Sequence, residues 1–355
     1  MWIRKLFRSI KAFFHKKNVV LSAKRYGIDA LSAMAQGLFC SLLIGTIIKT
    51  IGEQFSVSQF VEIGGYASAM SGAAMAVAIG FALQSPPLVL FSLTAVGYAA
   101  NACGKAGGPL AVLLIAIVAA ECGKLVSKET KIDILVTPLV TIVVGCLLSM
   151  WLAPKIGELA QMIGRLIMEA TELQPFWMGI FVSVLVGIAL TLPISSAAIC
   201  ASFGLVGLAG GAAVAGCCAQ MVGFAVMSFK ENRWGGIVSQ GIGTSMLQMG
   251  NIVKNPKIWI PPILTSAVTG PLATCLFKLE MNGAPIASGM GTCGFVGQIG
   301  VYTGWLNTPE KVITAFDWIG LIMICFILPA VICYLISIPL RKIGWIGQGD
   351  LKLTQ

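Results

Sequence analysis

The chain contains the apolar stretches LAVLLIAIVAAECGKLV (residues 110–126) and IDILVTPLVTIVVGCLLSMWL (residues 132–152), which are separated by only five polar residues, SKETK (127–131). The hydrocarbon core of a bilayer is about 30 Å thick, and a helix needs about 20 predominantly apolar residues to cross it. Two stretches of nearly this length, joined by a short polar turn, predict a pair of antiparallel transmembrane helices. They indicate that the solvent around most of this protein is lipid.

The composition extends this prediction to the whole chain. Hydrophobic residues make up 57% of the 355 residues, and Asp, Glu, Lys and Arg make up 11%, which is about half the charged fraction of an average soluble domain. Apolar stretches of this length satisfy their backbone groups in lipid by forming helices. We therefore predict an all-α polytopic membrane protein with about ten transmembrane helices and two re-entrant hairpins.

The apolar pattern divides the chain into five parts. They are a basic amphipathic interfacial helix (1–27), a first transmembrane bundle (28–153), an amphipathic linker helix (154–175), a second transmembrane bundle (176–340) with re-entrant segments at 234–250 and 282–302, and a tail (341–355). The linker is predicted because apolar residues recur at helical spacing between Ile156 and Ala170, with charged residues on the opposite face.

Much of the net charge of +10 comes from the N-terminal segment. Eight of the 24 basic residues precede the first acid, Asp29; they are Arg4, Lys5, Arg8, Lys11, Lys16, Lys17, Lys24 and Arg25. The positive-inside rule predicts a cytoplasmic N-terminus, and ten crossings then also place the basic Arg341 and the tail in the cytoplasm. A basic flank of a membrane span favours anionic lipid headgroups, so we expect no nucleic-acid partner.

The segments 234–250 and 282–302 are too polar and too rich in glycine for ordinary spans. Irregular backbone survives at membrane depth only when it is buried in protein or lines an aqueous cavity, so we expect both segments to bound a binding site. Their amides and hydroxyls suit a small polyhydroxyl solute, whereas anionic substrates more often require arginine. The candidate solute-binding residues are Gln240, Gln248, Asn282, Thr292 and Gln298. The alternative is that they form ordinary interhelical hydrogen bonds, worth about 0.6–2 kcal/mol each.

Asn101 and Glu121 complete the predicted solute-binding set from the first half of the chain. An ionisable residue inside an apolar span is a functional candidate by default. The alternative for Glu121 is a structural ion pair with Lys124 or Lys128.

Other chemistries find little support in the sequence. Residues 289–294, GMGTCG, match the G-x-G-x-x-G pattern of dinucleotide-binding sites, but no strand precedes them and no acidic residue follows at the required distance. We predict instead that these glycines permit close backbone packing. The chain has one histidine and 11 cysteines without a C-x-x-C motif, so we predict no catalytic site, metal site or cofactor.

Three stretches resemble a known family: GYAANACGK (97–105), KETKIDILVTPL (128–139) and GMGTCGFVGQ (289–298). They are similar to the EIIC membrane components of the bacterial sugar phosphotransferase system, and most closely to the branch that includes proposed regulators of toxin genes in Gram-positive bacteria. The resemblance implies a multi-pass protein of the bacterial cell membrane, a homodimer, and an elevator-like movement of a substrate domain against a scaffold.

The same resemblance implies a permease for a small polar, carbohydrate-like solute. A membrane sensor or regulator with little transport activity is the alternative. Sugar-transporting relatives hold the sugar with a glutamate of a Gly-Ile-Thr-Glu loop, which this chain lacks, and Gln298 is the nearest stand-in. The IIA and IIB domains, with their phosphorylated histidine and cysteine, are expected as separate cytoplasmic partners.

Overall fold

The computed structural model describes residues 13–20, 22–308 and 311–353. Over these residues the chain is helical and contains no β-strand, only an isolated antiparallel bridge between Gly207 and Met281. The predicted all-α class is therefore confirmed. Most of the predicted N-terminal interfacial helix, residues 1–12, lies outside the described residues, and residues 13–16 are helical.

The helices follow one another along the chain as follows: α1 (Arg25–Gln54), α2 (Ser58–Ala69), α3 (Ser71–Ala82), α4 (Pro87–Gly104), α5 (Gly108–Val126), α6 (Asp133–Thr171), α7 (Pro175–Thr191), α8 (Ser196–Phe203), α9 (Gly207–Met227), α10 (Phe229–Val238), α11 (Met249–Lys254), α12 (Ile260–Pro271), α13 (Val296–Asn307) and α14 (Ala315–Lys342). Short 3₁₀-helical or π-helical turns interrupt or extend several of these helices. The most irregular stretches lie between α10 and α11 and between α12 and α13.

Six helical stretches of the described residues are long and apolar enough to cross a membrane, or seven if the pair α2 and α3, bent by 46°, is one span. The predicted count of about ten and the re-entrant hairpins are not confirmed. One of the six covers both α4 and α5. A Cβ on Gly123, near the end of α5, would lie 2.9 Å from Val89, near the start of α4. These two helices therefore fold back on each other as a hairpin.

The structure shows no break at the predicted start of the linker helix. Helix α6 runs without interruption from Asp133 to Thr171 and contains both Pro138 and Pro154. Proline removes one backbone donor and crowds the preceding turn, but membrane helices tolerate it where neighbouring groups compensate. The predicted linker is thus the second half of one long helix.

The described residues form two compact units. The first unit, unit 1, contains the residues up to Ser41 together with Ala69–Gly157. Its helices α3 and α4 cross with their backbones in contact, because a Cβ on Gly72 or on Gly97 would lie within 2.4 Å of the other residue's carbonyl oxygen. Such small-residue crossings are the usual way in which transmembrane helices associate.

The second unit, unit 2, contains Leu42–Ser68 and the residues from Glu158 onward. Helix α9 lies at its centre and is almost entirely buried, and α7, α12 and α14 pack around it. The contact between α7 and α9 is again a glycine crossing, since a Cβ on Gly216 would lie 1.9 Å from the carbonyl oxygen of Ser183. Unit 2 is therefore built around one almost entirely buried helix, against which its irregular segments pack.

Candidate functional site

The two irregular segments of unit 2 meet. The first contains the wide helical turn Ser239–Gly243, the extended residue Thr244 and the tight turn Ser245–Gln248. The second contains the tight turn Cys293–Phe295, which packs against Ser239–Gly243. Both segments also contact α9 or its immediate neighbours. The backbone of residues 234–250 and 282–302 is therefore irregular, and the re-entry of these segments into the membrane stays a prediction.

The second segment lies directly against helices α8 and α9. A Cβ on Gly289 would lie 2.6 Å from the backbone of Ser196, and a Cβ on Gly291 would lie 2.6 Å from Cys217 Cβ. Gly291 also has a φ of +55°, a conformation that side chains other than glycine rarely adopt. The glycines of the G-x-G-x-x-G pattern therefore serve close backbone packing, as the sequence suggested.

Thr292 and Gln298 are both buried where this segment meets α9. Thr292 Oγ1 lies 3.5 Å from Met221 Sδ, a weak acceptor, and makes no other hydrogen bond within the described residues. The Gln298 amide lies 3.4 Å from Cys218 Sγ. In the orientation that satisfies its amide, Gln298 donates to the carbonyls of Gly291 (3.2 Å) and Phe295 (3.3 Å). Gln298 thus holds the irregular turn, while the Thr292 hydroxyl retains capacity for a stronger partner.

A second cluster of buried polar side chains, centred on Gln220 of α9, was not predicted from the sequence. Gln220 Oε1 accepts from Trp259 Nε1 at 2.8 Å and from Thr191 Oγ1 at 3.3 Å. Its Nε2 donates to Ser266 Oγ at 3.3 Å, and Thr191 Oγ1 lies 2.8 Å from Ser245 Oγ. This cluster links α7, α9 and α12 to the first irregular segment. The sequence did contain a signal for this cluster, because Gln220 is the one amide side chain in the apolar stretch 207–227.

Gln240 and Gln248 belong to a cluster of amide side chains with internal partners. Gln248 Nε2 donates to Gln240 Oε1 at 2.8 Å, and Gln240 Nε2 donates to Ser228 Oγ at 2.9 Å. Gln248 also donates to the carbonyl of Leu351 at 2.9 Å, while Asn251 donates to Gln248 Oε1 at 2.8 Å. Gln248 therefore holds the C-terminal tail directly, and Gln240 contributes by accepting a hydrogen bond from Gln248.

Asn282 lies in a different environment from the other predicted residues of unit 2. It is exposed, accepts from the backbone N–H of Gly207 at 3.1 Å, and donates to Glu280 at 3.0 Å. These contacts accompany the isolated bridge between Gly207 and Met281. Asn282 thus joins the start of α9 to the chain that follows α12.

The two predicted residues of unit 1 have partners within that unit. Asn101 Nδ2 lies 3.4 Å from Ser71 Oγ, beside the glycine crossing of α3 and α4. Glu121 lies 2.7 Å from Lys124 Nζ and accepts from the Tyr26 hydroxyl at 3.1 Å. The alternative that Glu121 forms an ion pair with Lys124 is therefore confirmed.

Lys124 connects this ion pair to the N-terminal segment. Its ammonium, on a side chain that is 1% exposed, donates to the carbonyls of Asn18 (3.0 Å) and Leu83 (3.1 Å). Arg25 donates to the same two carbonyls. Two cations therefore satisfy the carbonyl at the end of α3, which suits the negative end of a helix dipole. Among the described residues, no group of three His, Cys, Asp or Glu side chains is placed to hold a metal ion.

Comparison with protein families gives a match over most of the chain. The family described as "Phosphotransferase system, EIIC" matches residues 28–353. This chain belongs to the EIIC family. Family membership and the apolar helices together support a membrane permease for sugar transport that works with IIA and IIB partner proteins. Neither the curated proteins nor the solved structures give a significant match to this EIIC chain.

Proposed function

We propose that this EIIC chain is a permease for a carbohydrate-like solute, and that the solute binds in unit 2 where the two irregular segments meet beside α9. The observation that carries the proposal is the contact between the turns Ser239–Gly243 and Cys293–Phe295. Non-helical backbone is tolerated at membrane depth where it lines a cavity, and transporters place solute sites at such broken helices.

The chemistry of the surrounding side chains supports a neutral, hydroxyl-rich solute. Thr292, Gln298, Gln240 and Gln248 are all buried and all uncharged. Each amide or hydroxyl can donate and accept, so each can replace an internal hydrogen bond by one to a sugar hydroxyl at small net cost. Thr292 is the first residue we expect to contact the solute, because its hydroxyl has only a sulfur partner.

The movement that accompanies transport is also part of the proposal. An elevator-type alternating-access mechanism in a homodimer would carry the site between the two membrane faces. The solute contacts predicted for Asn282, Asn101 and Glu121 also stay predictions. Glu121 is the least available of the three for a solute, because its carboxylate is already paired with Lys124 and bonded to the Tyr26 hydroxyl. Cytoplasmic N- and C-termini are likewise proposed, from the distribution of basic residues.

The test is thermal stabilisation of the purified protein by a panel of monosaccharides, disaccharides and polyols. A ligand at 100 times its Kd stabilises the folded state by about 2.7 kcal/mol, which gives a measurable rise in Tm. We expect one chemical class of sugar to give a saturable shift. Thr292→Val, which keeps the shape and removes the hydroxyl, should weaken that binding about 5- to 30-fold, the equivalent of about 1–2 kcal/mol.

Thr303→Val is the matched control, because the Thr303 hydroxyl only bonds to backbone carbonyls of its own helix α13. Equal weakening by both variants would contradict a contact between Thr292 and the solute. No stabilisation by any sugar, with or without the IIA and IIB partners, would overturn the permease proposal in favour of a membrane sensor or regulator.

A further inference from the structure

A cavity of about 830 Å³ opens in unit 2 between the polar turns and the C-terminal tail. It lies among residues that the proposed solute site does not use. Its wall is formed by Glu231–Arg233, by Asn251, Lys254 and Asn255, and by Gly349, Asp350, Lys352 and Leu353. Small-molecule sites have volumes of about 300–1,000 Å³, so the cavity is large enough for a ligand of that size.

The acidic side chains in the wall of this cavity already accept hydrogen bonds from other groups of the protein. Glu231 accepts from Arg341 through both of its oxygens, at 2.9 and 3.3 Å. Asp350 Oδ2 accepts from Asn255 Nδ2 at 2.7 Å and from the backbone N–H of Gly347 at 2.8 Å. The Glu231 carboxylate is thereby paired with a cation, and the Asp350 carboxylate is held in the cavity wall through one of its oxygens.

The basic residues of the cavity have no such partners. Within the described part of the chain, the side chains of Arg233, Lys254 and Lys352 make neither an ion pair nor a hydrogen bond. After Arg341 offsets Glu231, three cations face one engaged carboxylate. The cavity therefore carries a positive excess of about two charges, which a dianion would balance.

Two of these cations are placed by specific backbone geometry. Arg233 has a φ of +51° and a ψ of −148°, a conformation that costs a non-glycine residue about 1–3 kcal/mol and is concentrated at functional sites. Lys352 lies in the C-terminal tail, where its own backbone and that of both neighbouring residues are hydrogen-bonded to asparagine side chains. Asn232 donates to the carbonyl of Leu351 (2.7 Å) and accepts from the N–H of Leu353 (2.9 Å), and Asn251 donates to the carbonyl of Lys352 (3.0 Å).

We propose that this cavity is a binding site for a phosphate monoester, with Arg233, Lys254 and Lys352 as its ligands. A phosphate monoester carries a charge of about −1.5 to −2 at pH 7 and three acceptor oxygens. The planar guanidinium of arginine matches two phosphate oxygens, and lysines supply point charges at the remaining positions. The phosphate can belong to a soluble molecule or to a lipid headgroup. This site is independent of the proposed solute site.

The experiment measures binding by calorimetry to the full chain in neutral detergent, with inorganic phosphate and with a hexose 6-phosphate as probes at constant ionic strength. The lipid arm uses nanodiscs of phosphatidylcholine with and without phosphatidic acid, whose headgroup is a phosphate monoester. The test variant is Arg233→Gln with Lys254→Gln and Lys352→Gln. The control carries Lys131→Gln, Lys230→Gln and Lys342→Gln, which remove the same charge from exposed positions outside the cavity.

We expect saturable binding of at least one probe that the test variant weakens 30-fold or more and the control weakens less than threefold. Binding of the hexose 6-phosphate assigns the site to soluble monoesters, and binding confined to phosphatidic acid nanodiscs assigns it to the headgroup. Absence of binding in every arm would overturn the proposal. Equal weakening by the test variant and the control would also overturn it, because diffuse surface charge would then explain the attraction.

Discussion

Units 1 and 2 both bury polar groups, but they do so with different chemistry. Unit 1 buries the charged pair Glu121 and Lys124 and surrounds the ammonium with backbone carbonyls. Around α9, unit 2 buries neutral groups, among them Gln220, Thr292 and Gln298. The ion pair of unit 2, Glu231 with Arg341, is less deeply buried, because the arginine side chain is 22% exposed. Separating a buried ion pair leaves an uncompensated charge, whereas a neutral amide exchanges partners at small net cost. The charged pair of unit 1 is therefore costly to separate, while the neutral groups of unit 2 can exchange internal hydrogen bonds for bonds to a solute.

The largest expected effect comes from breaking the buried ion pair of unit 1. Lys124→Met leaves the Glu121 carboxylate without its cation and leaves Arg25 as the remaining cation on the carbonyls of Asn18 and Leu83. We therefore expect a loss of about 3–5 kcal/mol in the free energy of unfolding. Adding Glu121→Gln to this variant should restore part of the loss, because the unpaired charge is then absent. Denaturation in mixed detergent measures both changes.

The matched control is the exposed pair of Lys49 and Glu53, whose charged atoms lie 3.7 Å apart. Lys49→Met should cost about 0–1 kcal/mol, as for other surface ion pairs. If Lys124→Met were no more destabilising than Lys49→Met, the contrast between the two units would lose its basis.

A smaller effect is expected from the neutral network of unit 2. Gln220→Met removes the acceptor for Trp259 Nε1 and Thr191 Oγ1, and we expect a loss of about 1–2 kcal/mol in the free energy of unfolding. A double-mutant cycle with Trp259→Phe isolates the direct bond, for which membrane proteins average about 0.6 kcal/mol. A coupling energy between Gln220 and Trp259 larger than that between Glu121 and Lys124 would contradict the proposed difference between the two units.

The smallest effect concerns the contact of the N-terminal segment with the turn after α5. The Lys17 ammonium donates to Glu129 and holds the pKa of that carboxyl below its usual value. The contact therefore contributes its full stability above the usual pKa of a glutamate, about 4.3, and loses it as pH falls through the lowered value. Glu129→Gln should be slightly less stable than the natural chain at pH 7, and this difference should shrink as pH falls below the usual pKa of a glutamate. A difference in unfolding free energy that grows in acid would contradict this assignment.

The sequence predicted those features that depend on local composition. The helical class, the broken backbone of residues 234–250 and 282–302, and the close packing at Gly289 and Gly291 all follow from apolar length and glycine content. The pairing of Glu121 with Lys124 was open as an alternative because the two are one helical turn apart.

Features that depend on partners distant in the sequence were not predictable from these patterns. Gln220 meets Thr191, Ser266 and Trp259 only after three helices have packed together. The bond from Gln248 to the carbonyl of Leu351 spans 103 positions. Helix α6 continues through Pro154, although proline removes a backbone donor and a local reading of the sequence favours a helix boundary there.

The central claim is that the solute binds to the neutral groups of unit 2 and leaves the charged network of unit 1 unchanged. Hydrogen–deuterium exchange, measured with and without the sugar that gives the largest rise in Tm, tests this most directly. We expect the sugar to slow exchange in peptides that cover residues 239–248 and 289–298, with no change in peptides that cover residues 119–126. Slowed exchange confined to residues 119–126, or to residues around Asn101, would contradict the claim and place the solute in unit 1.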